Sequence, residues 1–151
     1  MARRGDDEQE QWTYWPLHTL PRSLDIVWCR FPELNLSEPG PKSRPGLVRS
    51  VELSTDHKRA RVEVCYGTSK LKHDLYPTDL FMENASRMAQ LGLTQSTRFE
   101  LDRTLILPWA KEFFSPKDGS RTPIIGHLSE PEITQLETLK RLKAAHLSPR
   151  R

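Results

Sequence analysis

From Ala60 to Tyr66 the chain reads Ala-Arg-Val-Glu-Val-Cys-Tyr, an alternation that sends Val62, Val64 and Tyr66 one way and Arg61, Glu63 and Cys65 the other. A period of two marks a half-buried strand, because successive side chains of extended backbone leave on opposite faces. The period returns from Arg98 to Leu107, where Phe99, Leu101, Arg103, Leu105 and Leu107 share one parity and Arg98, Glu100, Asp102, Thr104 and Ile106 the other. A long strand with a charged face fits that run. Asp25–Phe31 (DIVWCRF) and Leu47–Leu53 (LVRSVEL) are further strand-like runs, rich in the branched and aromatic residues that pack on a pleated surface. Short strands joined by turns predict an antiparallel sheet that curls on itself to bury one face.

The punctuation agrees. Ser54-Thr55-Asp56-His57-Lys58 is a hairpin turn whose side chains bond their own backbone, and Gly67-Thr68-Ser69-Lys70 ends the strand that begins at Ala60. Asp79–Leu91 predicts a short helix, capped by Thr78 or Asp79 and stopped by Gly92. Pro108-Trp109 closes the long strand, and residues 115–122 form a mobile loop. Ser129-Glu130-Pro131-Glu132 reads as a capping box, in which serine and glutamate satisfy the first amides of a helix. Ile133, Leu136, Leu139 and Leu142 give that helix an apolar stripe. The expected fold is therefore mainly β: a small barrel of antiparallel strands with a short middle helix and a C-terminal helix.

At 151 residues one core can be buried, and two ordinary domains cannot. The expected division is a tail over residues 1–23, with an acidic disordered tip and an aromatic segment (Trp12, Tyr14, Trp15) lying across the domain, then one folded domain over residues 24–147. No run approaches the roughly 18 apolar residues that span a bilayer, and Met1–Gln11 holds no apolar signal core. No membrane association is expected, and the cytoplasm is the default location. Cys29 and Cys65 lie in strand-like runs, far outside metal-knuckle spacing, and read as buried free thiols. His18, His57, His73, His127 and His146 are scattered without partner spacing, so neither a metal nor another cofactor is expected. The net charge of +3 permits nucleic-acid binding without requiring it.

One segment carries chemistry. Lys42-Ser43-Arg44-Pro45-Gly46-Leu47-Val48 places an arginine at the mouth of a strand, directly after the stiff loop Pro39-Gly40-Pro41. A guanidinium held there is either an anion site or a strand-end group paired with a surface carboxylate. Thr68 and Ser69 could offer hydroxyls and amides to the same anion, or serve only their own turn. Arg98 and Glu100, two apart on a strand, share a face and could be a catalytic pair or a solvated ion pair. Trp28 and Trp109 read as core or rim packing.

Taken in order, LDIVWCRFPE, the Pro/Gly loop, KSRPGLV, the strand into GTSK, the RFELDRT run and IIGHLSEPEITQLETLKRL resemble the PemK/MazF family of toxins from bacterial toxin-antitoxin pairs. The resemblance covers residues 24–145. It implies an SH3-like barrel, usually a homodimer, that cuts single-stranded RNA without a metal and is held in check by an antitoxin. It places catalytic roles on Arg44, Thr68, Ser69 and Glu100, and RNA-binding roles on Lys42, Lys70 and Arg98. The pattern also departs from the family: Leu24 stands where a glycine is usual, and Tyr66-Gly67 replaces a proline-containing turn. Two other readings stay open on the same residues: a barrel that binds RNA or protein without catalysis, and a growth inhibitor directed at DNA gyrase.

Overall fold

The computed structural model describes residues 11–34 and 36–147; the acidic tip expected over residues 1–10 lies outside them. Six strands form one sheet in the order β4-β5-β3-β2-β1-β6, antiparallel at every pairing. They are β1 (Asp25–Cys29), β2 (Arg44–Leu53), β3 (Ala60–Thr68), β4 (Leu80–Met82), β5 (Thr97–Pro108) and β6 (Ile124–His127). Two α-helices, α1 (Ala85–Gln90) and α2 (Glu130–Leu147), and a short 3-10 turn over Leu17–Thr19 complete the fold of the described residues. Among the described residues no helix is long and apolar enough to cross a membrane.

Both faces of the sheet are covered, which explains why the alternating strands carry so few exposed apolar side chains. On one face Ile26, Leu47, Cys65, Leu80 and Phe99 pack with Leu136 and Leu139 of α2. On the other, Val27, Val48, Val62, Val64 and Leu107 pack with Trp109, Phe113 and Phe114. The aromatic N-terminal segment closes this second core. Trp12 meets Phe113 edge to face at 4.9 Å, Tyr14 bridges to Ala110, and the Trp15 indole N–H donates to the Phe114 carbonyl at 2.9 Å. These rings remove a large apolar area from water, and Trp15 does so while its indole N–H keeps a partner.

Four expectations require correction. The helix expected over Asp79–Leu91 is two elements: Leu80–Met82 is strand β4, paired with Thr97–Phe99 of β5, and α1 starts only at Ala85, where the Asn84 side chain accepts from the Arg87 amide. Leu80 and Met82 are buried on the sheet while Phe81 between them is half-exposed, so a period of two prevails over helical propensity. The single parity expected along Arg98–Leu107 fails because Cys65 pairs with Thr104 but the next residue, Tyr66, pairs with Glu100. The inserted residues Leu101–Arg103 form a bulge that flips the strand, so Phe99 faces the first core and Leu107 the second. β1 ends at Cys29 rather than Phe31, since the Arg30 amide turns to the Phe113 carbonyl at 2.7 Å. Leu142, expected in the apolar stripe of α2, is 54% exposed.

Most other punctuation is as expected. The Ser54–Lys58 hairpin joins β2 to β3, with the Ser54 amide donating to the Arg59 carbonyl. Gly92 ends α1 with φ +74°, and the Leu93 amide donates back to the Met88 carbonyl at 2.8 Å, a Schellman closure that needs a left-handed residue. Of the expected capping box the glutamate half forms: Glu132 reaches back to the Ser129 amide, whereas the Ser129 hydroxyl donates to that same carboxylate rather than accepting from a helix amide, and the carboxylate also pairs with Arg87 of α1. The capping box thus ties the two helices together.

Cys29 and Cys65 are free and fully buried. Burial pushes the Cys65 thiol up to about 11 and raises Cys29 as well. A thiol whose folded pKa lies above its unfolded one holds its proton longer in the native state, so its contribution is complete below pH 9 and lost as pH rises toward 11. Urea unfolding is therefore expected to show stability falling by roughly 2–3 kcal/mol from Cys65 alone across that interval. Cys65→Ala should flatten the alkaline limb relative to wild type, and parallel limbs for the two proteins would refute the assignment.

Candidate nucleic-acid interface

β1 and β2 end side by side, with Cys29 opposite Arg44 and Trp28 opposite Pro45. β3 reaches the same end through Gly67, where an added Cβ would lie 2.3 Å from the Pro45 carbonyl oxygen. Only glycine lets the two strands approach so closely, and the approach shapes one side of a cavity of about 170 Å³. Arg44, Ser43, Ser69, Trp28, Gln95 and Lys117 contribute to its wall. Lys117 stands with its ammonium 5.0 Å from the centre of the Trp28 ring and 3.5 Å from the Gly92 carbonyl. Two cations, four hydroxyl side chains (Ser43, Ser69, Thr94 and Thr97) and an amide line the recess, and among the described residues no carboxylate or imidazole takes part. Such a wall favours an anion.

Arg44 is half-buried and, among the described residues, no carboxylate pairs with it. Its guanidinium carbon lies 5.8 Å from the centre of the Tyr66 ring. On the other side of Arg44 a second hollow opens, of about 340 Å³, walled by Phe31, Glu33, Lys42, Tyr66 and Arg103 as well as Arg44 itself. Arg103 lies over Tyr66 at 4.1 Å. Arg44 therefore stands between two adjoining recesses, and Lys42, Lys117 and Arg103 surround it.

The residues singled out from sequence fall into two groups. Arg44 and Ser69 line the first cavity together, and Lys42 joins Arg44 in the second. Thr68, Glu100, Lys70 and Arg98 line neither. Thr68 is the last residue of β3, 6% exposed, and its hydroxyl accepts from the Lys70 amide at 3.1 Å, a local turn contact. Lys70 is exposed and its carbonyl accepts from Arg98 Nε at 3.0 Å.

Arg98 is not on a solvated face: it is 3% exposed. It binds Asp79 at 2.7 Å and Glu100 at 3.1 Å and stacks over Tyr76 at 4.0 Å. Glu100 also meets Arg103 at 3.5 Å, so its carboxylate is shared by two guanidinium groups. Trp109 is core, whereas Trp28 is a rim residue of the cavity. The wall residues without a sequence signal are Lys117, inside the loop expected to be merely mobile, and Tyr66 with Arg103, which meet only because of the β5 bulge. His127 pairs with Asp25 at 2.7 Å and His73 with Glu83 at 2.9 Å, both away from the cavity. Among the described residues no group of three or more His, Cys, Asp or Glu side chains is arranged to hold a metal.

Compared with known proteins, the chain matches no family model and no curated sequence.

Proposed function

We propose that this protein binds single-stranded RNA across the Arg44 cleft and cleaves it as a metal-independent endoribonuclease of the PemK/MazF toxin type, its curled sheet being an SH3-like barrel. The observation that carries the reading is an arginine with no carboxylate partner among the described residues that shares one cavity wall with Ser69 and Lys117. It is joined by the order of segments that resembles that family, from LDIVWCRFPE through KSRPGLV to the final helix. A phosphodiester seated in the cavity would take the Arg44 fork on two oxygens and the Lys117 ammonium on the outer side.

In the reaction the 2′-hydroxyl gives its proton to water and its oxygen forms a bond to the adjacent phosphorus, the bond to the 5′-oxygen breaks, and that oxygen takes a proton from water. The products are a 2′,3′-cyclic phosphate and a free 5′-hydroxyl. Charge builds on the phosphoryl oxygens, which is where fixed cations act most strongly. Ser69, on the same wall, would donate its hydroxyl to one of those oxygens. Glu100, away from the cavity wall and held by two arginines, enters this reading as a support for Arg103 rather than as the base. An antitoxin segment covering the cleft, a homodimeric assembly and a cytoplasmic setting belong to the same proposal.

The absence of a carboxylate or imidazole from the wall favours one second reading, a cleft that binds RNA without cutting it. Incubating the purified protein with end-labelled single-stranded RNA in excess chelator separates the two. Cleavage is expected, with cyclic phosphate ends, and should be abolished at a linkage whose 2′-hydroxyl is replaced by hydrogen. Tight binding of intact RNA would leave the binding module alone, and no binding would end both readings.

A further inference from the structure

We propose that Tyr66 and Arg103 form a nucleobase-stacking subsite beside the phosphate position at Arg44. The proposal rests on the RNA reading above and adds to it which part of a nucleotide the second hollow takes. That hollow, at about 340 Å³, falls within the range of roughly 300–1,000 Å³ of clefts that hold small organic groups. It is twice the size of the neighbouring cavity. Its wall sets the flat faces of Phe31, Tyr66 and two prolines among three cations and one carboxylate. Tyr66 is fixed from behind by Phe31, edge to face at 5.0 Å, and Arg103 lies over the ring at 4.1 Å while remaining half-exposed.

A guanidinium stacked on an aromatic ring is a flat, polarisable platform, and single-stranded RNA is held by stacking of its splayed bases on such surfaces. Glu33 on the same wall offsets one of the three cations Lys42, Arg44 and Arg103, and it is the stacked faces of Tyr66 and Arg103, not the charge, that mark a base site. Position agrees with chemistry: Arg44 belongs to both walls, so a phosphate on its fork and the base of an adjoining nucleotide would occupy neighbouring recesses. The bulge at Leu101–Arg103 is what carries Arg103 over Tyr66, since Tyr66 pairs with Glu100 and Cys65 with Thr104. Glu100 holds the platform in place through its contact with Arg103 at 3.5 Å.

The test is an abasic scan. A short fluorescein-labelled oligoribonucleotide, made uncleavable by 2′-O-methylation, is titrated with the full chain, then re-titrated with each base removed in turn. One position should lose roughly 5- to 100-fold in affinity. Tyr66→Leu should lose a similar factor on the intact oligomer and nothing more on the oligomer abasic at that position, while Tyr66→Phe restores most of the loss. Arg103→Gln, altered at the surface and so without risk to the core, should give a smaller loss at the same position only. A flat scan with both variants binding like wild type overturns the subsite and leaves the phosphate cleft standing. Failure of the wild-type protein to bind the oligomer at all overturns the RNA reading and the subsite with it.

Discussion

Arg44→Ala is expected to lower cleavage of single-stranded RNA by about 10²–10³-fold, the usual cost of removing one well-aimed donor to a developing oxyanion, while leaving thermal unfolding unchanged. The two halves of that expectation have separate causes. Arg44 has no carboxylate partner among the described residues, and its contact with Tyr66, at 5.8 Å, is near the outer limit for an attractive cation–ring pair. Its backbone pairing with Cys29 survives the substitution. The fold therefore loses little, within about 0.5 kcal/mol as for an ordinary surface change. The reaction loses both hydrogen bonds of the fork. Arg44→Lys should recover binding more than turnover, because an ammonium keeps the charge without the bidentate geometry, and the salt dependence of RNA affinity should become shallower by about one ion for Arg44→Ala. Wild-type turnover in Arg44→Ala would remove Arg44 from the chemistry.

What the sequence made legible is what is local. The β2–β3 hairpin follows from alternation on either side of Ser54–Lys58, the helix stop at Gly92 from the left-handed conformation only glycine adopts cheaply, and the start of α2 from Ser129 and Glu132. Arg44 was legible for the same reason, since Pro39-Gly40-Pro41 and Pro45 mark the strand mouth in the chain itself. Non-local features were hidden. β6 pairs with the outer edge of β1 through only Ile124–His127, too short a run to show a period. The β5 bulge depends on where β3 pairs, and one shift in register sends Phe99 and Leu107 to opposite faces. Lys117 and Trp28 are 89 positions apart and meet only once β1 and the chain before β6 lie together, with the Trp28 amide on the Pro123 carbonyl. Arg98 and Glu100 read as a catalytic or a solvated pair, not a buried one, because Asp79, the partner that buries Arg98, was assigned to the start of a helix.

That buried pair carries the largest expected effect on stability. Arg98→Met should cost about 3–5 kcal/mol in urea unfolding, as when one partner of a buried ion pair is removed and the other is left without compensation. Arg98 Nε donates to the Lys70 carbonyl, one terminal nitrogen to Asp79 and the other lies against Glu100, so the change strips three contacts at once. Asp79 is then left 7% exposed, with Lys143 at 3.9 Å as its only other cation among the described residues and the Leu101 amide at 3.2 Å. Asp79→Leu alone should cost less, because Glu100 at 3.1 Å and the Lys70 carbonyl at 3.0 Å still hold the guanidinium. The double variant Arg98→Met, Asp79→Leu should regain much of the loss, since two apolar side chains can fill the site without stranding a charge. Additive losses in the double variant, or an Arg98→Met protein within about 1 kcal/mol of wild type, would show that the pair is not coupled as its geometry requires. The location explains why this matters to the cleft: the Lys70 carbonyl is the residue after Ser69, and Asp79 leads directly into β4, so Arg98 ties both ends of the segment between β3 and β4 to β5. Loosening it should shift Ser69 away from Arg44 before the rest of the sheet gives way, and RNA cleavage by Arg98→Met should fall at urea concentrations where its tryptophan fluorescence is still native.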